Sequence, residues 1–561
     1  QQIVLDQMAE EGFITDEEAR LAKEEKLEFR QQQNSIRAPH FVMMVREQLS
    51  ELFGDKLVEE GGLTVITTLD YEKQKIAEEE VRLGAERNTP RNAKNAALVS
   101  IDARSGEVLA LVGSKDYFDE SIDGNVNVAL RPRQPGSSFK PVVYAAAFQK
   151  GYTPSTIVYD LKTNFDTTGE KPYVPQNYTE KDYGPVTMKK ALAGSLNIAA
   201  VKTLYLAGLP SVLDLAENLG YTTLRDRSRF GLSLVLGGGE VTLLEHVAAY
   251  TAFAQEGVRA VPASILSVHD PQGRELHLFT KKTIQTTLDK EAARNINAIL
   301  ASQAERAYIF GPQNHLVLPG REAAAKSGTT NDFRDAWLIG YTPSLVTGVW
   351  AGNNDNSPMA KSIGGSAAAA PIWNAYMRRV HGGASAESFT RPAQIATGKP
   401  ILDGESGQGT IHDTLFYIVR DDPRGPAPEH PEQDPQFSEW ERVVREWVKR
   451  ENIKEVTLNA PPSAPETVEN PLTLSIESPQ ENDAITTPLL NVKIATSSPR
   501  GIRSVDYYLD TKKLGTMTEY PYELFATLVG VDNGFRTLRV IATDTKGMAR
   551  EVQMTLNILL P

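Results

Sequence analysis

The stretch Arg133-Gln134-Pro135-Gly136-Ser137-Ser138-Phe139-Lys140-Pro141 constrains this chain more than any other, because it places a hydroxyl at the mouth of a helix and an amine one turn further in. A serine is a weak nucleophile until a neighbour takes its proton, and in a helix Lys140 falls on the same face as Ser137. Pro141 would break a helix interior, but in the first turn its missing N–H is one of the donors that have no intrahelical partner. The spacing therefore predicts a helix from about Ser137, whose N-terminal dipole favours a developing oxyanion. Val142 to Phe148 are apolar all round, which marks a buried helix that would hold a nucleophile rigidly.

Ser-x-x-Lys alone arises by chance in long chains and usually means a solvated helix face. Here Ser195-Leu196-Asn197 and Lys326-Ser327-Gly328 follow it in order, and the three together form the motif set of penicillin-binding proteins and class A β-lactamases. The surrounding text, RQPGSSFKP, ALAGSLNIAAVK, LGGGEVTLLEHVAAYTAFAQEG, AAKSGTTNDFRDAWLIGYTP and GGSAAAAPIWNAYM, resembles the transpeptidase domain of class A penicillin-binding proteins over roughly residues 38–382. Leu196 and Ser327 depart from the commoner residues of the second and third motifs, yet both motifs keep their polar atoms.

The resemblance implies an α+β serine transpeptidase: a sheet with helices on both faces plus an all-helical subdomain. It implies that Ser137 forms an acyl-enzyme with Lys140 as base, which requires burial and Lys326 to push the lysine pKa down from about 10.4. Ser195 would relay a proton to the leaving amine, and Asn197 would hold Lys140 or the substrate amide. Lys326, with the hydroxyls of Ser327 and Thr329, would bind a terminal carboxylate, with Gly328 and Thr330 completing the substrate strand. The backbone N–H groups of Ser137 and Thr329 would form the oxyanion hole. The implied donor is a peptidoglycan stem peptide ending in D-Ala-D-Ala, on lipid-linked glycan, with β-lactams as its analogues and other cell-wall synthesis proteins as partners. A D,D-carboxypeptidase or β-lactamase would use the same motifs, and a non-catalytic β-lactam sensor or wall-binding scaffold would keep the fold.

Composition narrows the alternatives. A net charge of −13 with no long basic run gives nucleic acid no purchase. No cysteine is present, and the eight histidines show no metal-ligand spacing, so neither a metal nor another cofactor is expected. No run approaches the length of a membrane span. The start at Gln1-Gln2 suggests a fragment of something longer, and the resemblance implies an extracytoplasmic protein anchored by an N-terminal segment outside this chain.

In order, residues 1–37 read as helices, with Thr15 to Glu18 as a capping sequence, and resemble the tail of a glycosyltransferase domain. The acidic motif of that polymerase is not among these residues, so polymerisation is not expected of them. Residues 38–92 form a connecting module of helix, strand and helix with solvated charged faces, and residues 93–383 the transpeptidase. Its first strands flank a hairpin turn at Ala103-Arg104-Ser105-Gly106. REAAAKSGTT, DAWLIGYT and SLVTGVWAG read as three neighbouring strands, where Gly328 would let a second backbone approach, such as a substrate added along the edge. Residues 384–469 read as a Pro- and acid-rich linker holding one short helix, docked by a stripe of Trp440, Val443, Val444, Trp447 and Val448 through core packing. Residues 470–561, with period-two runs and turns at 532–534 and 543–547, read as an immunoglobulin-like all-β sandwich.

Overall fold

Along Asn95–Asp102 the side chains alternate between two cores: Ala97, Val99 and Ile101 enter one, Ala96 and Leu98 the other. A strand buried on both sides needs a layer on each face. The sheet built on it contains β1 (Asn95–Asp102), β2 (Val108–Val112), β3 (Ala324–Thr329), β4 (Asp335–Tyr341) and β5 (Leu345–Gly352). Its order is β3-β4-β5-β1-β2 and every pairing is antiparallel. Around it lie α1 (Tyr71–Asn88), α2 (Lys140–Lys150), α3 (Asn197–Ala207), α4 (Leu243–Ala254), α5 (Lys290–Ala301), α6 (Gln303–Phe310), α7 (Ala370–Val380) and α8 (Phe437–Arg450). Helices α1 and α7 cover one face, sharing a core with Leu98, Leu338 and Val349. On the other face α4 and α5 pack with Val99, Trp337 and Ile339. Helix α2 is buried from Lys140 to Phe148 and packs on α3 and Leu209–Asn218, the helical subdomain.

This computed structural model describes residues 2–25, 36–166, 171–279, 285–361, 363–393, 395–405, 410–453, 472–498, 501–545, 547 and 549–560. They divide into two units, Gln1–Thr457 and Leu458–Pro561. The hairpin turn between β1 and β2 is present, with Gly106 at φ +82. The helices Gln2–Glu10 and Asp16–Glu24 are also present, the second opened by a Thr15–Glu18 capping box.

Two boundaries differ from the sequence reading. The module at 38–92 does not stand apart from the sheet. Its strand Thr64–Thr67 pairs with Ile265–His269, and α1 buries Ala77, Val81 and Ala85, a stripe of small residues hidden in the text by the charges around it. Gly84 belongs to the same packing, since a Cβ there would lie 2.2 Å from Ile372 Cγ1. The stretch 384–453, in turn, is not a linker. Phe389, Ile401, Leu402, Leu415, Ile418 and the Trp440 stripe of α8 all enter the large core, because apolar residues spaced thinly among prolines and acids still find a shared surface. The segment is fastened by Lys202 of α3 and Asp413, 3.1 Å apart with both side chains fully buried, and the Lys202 ammonium sits 4.3 Å from the Trp440 ring centre. A buried ion pair is stable only when such partners satisfy it. The proline-marked linker around Pro461 to Pro471 lies outside the described residues.

Among its described residues the second unit's regular elements are all strands. A sheet of Thr473–Ser478, Leu489–Ser497 and Leu524–Thr527 accompanies one of five strands that includes Ile502–Leu509, Gly534–Asp544 and Ala549–Ile558. Alternate residues such as Val505, Tyr507 and Leu509, or Leu538, Val540 and Ala542, build a core of their own, the pattern of a two-sheet sandwich.

Candidate active site

Ser137 does not open an α-helix directly. Residues Gly136–Phe139 form a 3-10 turn, and α2 begins at Lys140. The Lys140 N–H donates to Ser137 O across the turn, the i to i+3 bond of 3-10 geometry. The turn is closed by Ser138, whose N–H and Oγ–H both donate to Pro135 O, at 3.2 and 2.6 Å. Behind it Tyr250 OH donates to Ser138 O at 2.6 Å, and His246 bridges Ser138 Oγ (Nε2, 2.9 Å) and Tyr221 OH (Nδ1, 2.7 Å). Burial pushes the His246 pKa down to about 3, so the imidazole is neutral. With Ser138 already donating to Pro135, the only consistent assignment is Nε2–H donating to Ser138 and Nδ1 accepting from Tyr221.

Two glycines let this turn press against β3, and a third lets another loop press against the turn. A Cβ on Gly328 would lie 2.2 Å from Pro135 O, one on Gly136 2.5 Å from Thr329 O, and one on Gly237 2.3 Å from Gly136 N. The backbone that Gly328 admits is thus the chain's own Ser137 turn, where the sequence reading expected room for a substrate. β3 remains the edge strand of the sheet.

The three motifs converge through their lysines. Lys140, fully buried, donates to Ser195 O (2.7 Å), Leu196 O (2.9 Å) and Asn197 Oδ1 (2.8 Å). Lys326 donates to Ser195 Oγ and to Ser327 O, each at 2.8 Å. Ser195, between the helix Met188–Ala193 and α3, is held at φ +59, a left-handed conformation that costs a serine on the order of 1 kcal/mol. This conformation lets one residue turn its carbonyl to one lysine and its hydroxyl to the other. Asn197 is the first residue of α3 rather than its cap, and its side chain joins Lys140 to Gln176 O (Nδ2, 2.8 Å). Its N–H donates to Asn177 Oδ1 at 2.7 Å, and Asn177 Nδ2 donates to Asp160 at 2.6 Å. Asp160 is buried and its pKa is pushed up to about 6 by desolvation, against the donors from Ala199, Asn177 and Tyr183.

Burial and then the Lys326 charge hold Lys140 well below the usual lysine range, with Asp160 opposing. Burial and then the Arg306 guanidinium push Lys326 down to about 7. The two amines meet at Ser195, and the Lys326 charge disfavours a second one on Lys140, so the pair resists carrying both charges at once. Ser137 itself is part-exposed. Thr329 Oγ1 accepts from Gly365 N at 3.1 Å, while Thr330 Oγ1 accepts from Arg334 N and Asp335 N, both at 3.0 Å, closing the β3–β4 hairpin. Thr330 is therefore an anchor of the turn, while Ser327 and Thr329 follow Lys326 along β3.

Asp160, Asn177, Tyr221, His246 and Arg306 carry no motif and were not singled out in the sequence. One signal was available: His246 interrupts the otherwise apolar LLEHVAAYTAFA, and a lone polar residue in a helix buried all round needs partners. Among the described residues no cluster of His, Cys, Asp or Glu could hold a metal ion.

Comparison with known proteins gives the geometry a context. A model described as the penicillin-binding protein transpeptidase domain matches residues 96–378, and one described as a bacterial Ig domain matches residues 473–540. Penicillin-binding protein 2D of Bacillus subtilis is 32% identical over 439 residues, 75% of this chain and 61% of that protein. Penicillin-binding protein 1A of Aquifex aeolicus is 36% identical over 299 residues, 53% of this chain and 40% of that protein. The chain thus spans 40% to 61% of the length of these curated relatives. Among solved structures, PonA1 from Mycobacterium tuberculosis is 28% identical with a TM-score of 0.57, covering 64% of this chain and 96% of that one. PonA1 is also known in complex with penicillin V, with a TM-score of 0.56.

Proposed function

The chain belongs to the penicillin-binding protein transpeptidase family, and from that premise we propose that it is a peptidoglycan D,D-transpeptidase working through a Ser137 acyl-enzyme. The observation that carries this reading is the convergence of both motif lysines on Ser195, through its carbonyl and its hydroxyl. In the reaction Ser137 Oγ–H passes its proton to uncharged Lys140 as Oγ bonds to the donor carbonyl carbon. The C–N bond then breaks, its nitrogen takes the Ser195 proton, and Lys326 replaces that proton. An acceptor amine reverses the sequence, closing a new amide and freeing Ser137. The N–H groups of Ser137 and Thr329 face the oxyanion in this scheme; losing one such donor typically costs roughly 10²–10³ in rate. The Lys326 charge and the hydroxyls of Ser327 and Thr329 take the substrate carboxylate. Relatives bearing penicillin-binding names, and PonA1 with its penicillin V, support β-lactams as donor analogues and an extracytoplasmic site of action.

Incubation with lipid-linked glycan and a partner polymerase, followed by mass spectrometry of muropeptides, tests the proposal. Cross-linked dimers that disappear in Ser137→Ala are expected. Trimmed monomers alone would replace transpeptidase by carboxypeptidase, and rapid turnover of penicillin would replace it by β-lactamase.

A further inference from the structure

Arg306 stands out among the buried charges. It is 2% exposed and lies on α6, behind β3. Its guanidinium donates to three carbonyl oxygens, those of Leu300, Ser302 (3.2 Å) and Leu316 (3.5 Å). No carboxylate pairs with it among the described residues. Buried charges are ordinarily paired, and carbonyl dipoles hold the guanidinium in place without cancelling its charge. Arg306 and Lys326 also line one small cavity, about 10 Å³, together with Ala193, Leu316 and Ser327. That is about the room of one water.

We propose that Arg306 is a positioning residue of the acyl-transfer site: its fixed positive charge behind β3 makes the Lys326 ammonium ready to give its proton to Ser195. The inference rests on the acyl-enzyme reading. A lysine alone in water holds its proton too tightly to serve as an acid near neutrality, and general acids work best when their pKa lies near the working pH. A second, unpaired cation on the far side of Lys326 weakens that hold, which agrees with Arg306 being the leading charge acting on Lys326. The other charged group facing Lys326 is Lys140 on α2. Among the described residues, charges on neighbouring elements have partners of their own. Asp335 of β4 accepts from Trp350 Nε1 at 2.8 Å, Lys189 pairs with Glu305 at 3.2 Å, and on α5 Arg294 pairs with Glu256 and Glu291, each at 2.7 Å.

The sign of the effect separates this role from a structural one. Acylation needs Lys140 uncharged and Lys326 charged, so its rate against pH is bell-shaped, with the alkaline limb set by Lys326 near about 7. Removing the Arg306 charge raises the Lys326 pKa and carries that limb upward by about one pH unit. The experiment is the rate of covalent labelling by a fluorescent penicillin from pH 5 to 9, corrected for its hydrolysis, in the full chain and in Arg306→Gln, Arg306→Met and Arg306→Lys. Labelling reads folded molecules only, so a reduced folded fraction leaves the position of the limb intact. At pH 8 the two neutral variants are expected to keep about fivefold more of their own maximal rate than the unaltered chain keeps of its own. Arg306→Lys, which retains the charge, is expected to keep the original limb. A rate lowered by the same factor at every pH in the neutral variants, or a limb that moves as far in Arg306→Lys, overturns the proposal. An unaltered chain that is not labelled at Ser137 defeats instead the reading beneath it.

Discussion

Two stretches follow the catalytic sheet, residues 384–453 and 472–560, and they solve the same problem in opposite ways. The first has too few apolar residues in any one place to build a core, and it lends Trp440, Val444 and Leu402 to the core already formed by α2 and α3. The second alternates apolar and polar residues over five or more positions in strand after strand, and closes on itself. The high proline and acid content of the first stretch is misleading. What decides whether a segment is a linker is where its apolar side chains find partners, and a stripe like that of α8 obliges the chain to dock.

The difference has consequences that can be broken experimentally. The largest effect is expected at Lys202, whose replacement in Lys202→Met leaves Asp413 buried without its cation, at a cost of about 3–5 kcal/mol. Urea unfolding followed by penicillin labelling reads that loss. Pairing it with Asp413→Leu is expected to return most of it, and a double variant as unstable as the single would mean that the ion pair does not fasten the segment. Next comes Gly328→Ala, which pushes a Cβ against Pro135 O and the turn carrying Ser137. Overpacking of this kind costs about 1–3 kcal/mol, and displacing a nucleophile by an ångström costs about 10² in rate. Acylation is expected to fall far more than stability, and equal losses in both would deny the turn its positioning role. The smallest effect belongs to the second unit: a chain ended after Glu469 is expected to acylate within about twofold of the full rate, since that unit's core is its own and contacts across such boundaries are few. A large loss would erase the contrast drawn between the two stretches.

The sequence made the chemistry legible and the scaffolding only in part. Ser137, Lys140, Ser195, Asn197 and Lys326 stand in short motifs, and motifs survive being read one line at a time; the structure brings all but the Ser137 hydroxyl into one hydrogen-bonded cluster. The sheet hairpin, the buried α2 and the strand-rich C-terminal unit follow from period and turn chemistry. Asp160, His246 and Arg306 were not legible because each works through partners tens to more than a hundred residues away, such as Ala199, Ser138 and Lys326, and no local spacing records such distances. The docking of α1 was hidden for another reason: three small residues carry the contact while the charges on the outer face dominate the text.

The central claim is that Ser137 is the group acylated, and one measurement addresses it directly. The full chain is labelled with penicillin, digested, and the adduct placed by mass spectrometry, with Ser137→Ala run in parallel. The account predicts one adduct, on the peptide containing Ser137, and none in the variant. An adduct on Ser138, Ser195 or Ser327, or labelling that persists in Ser137→Ala, would contradict it.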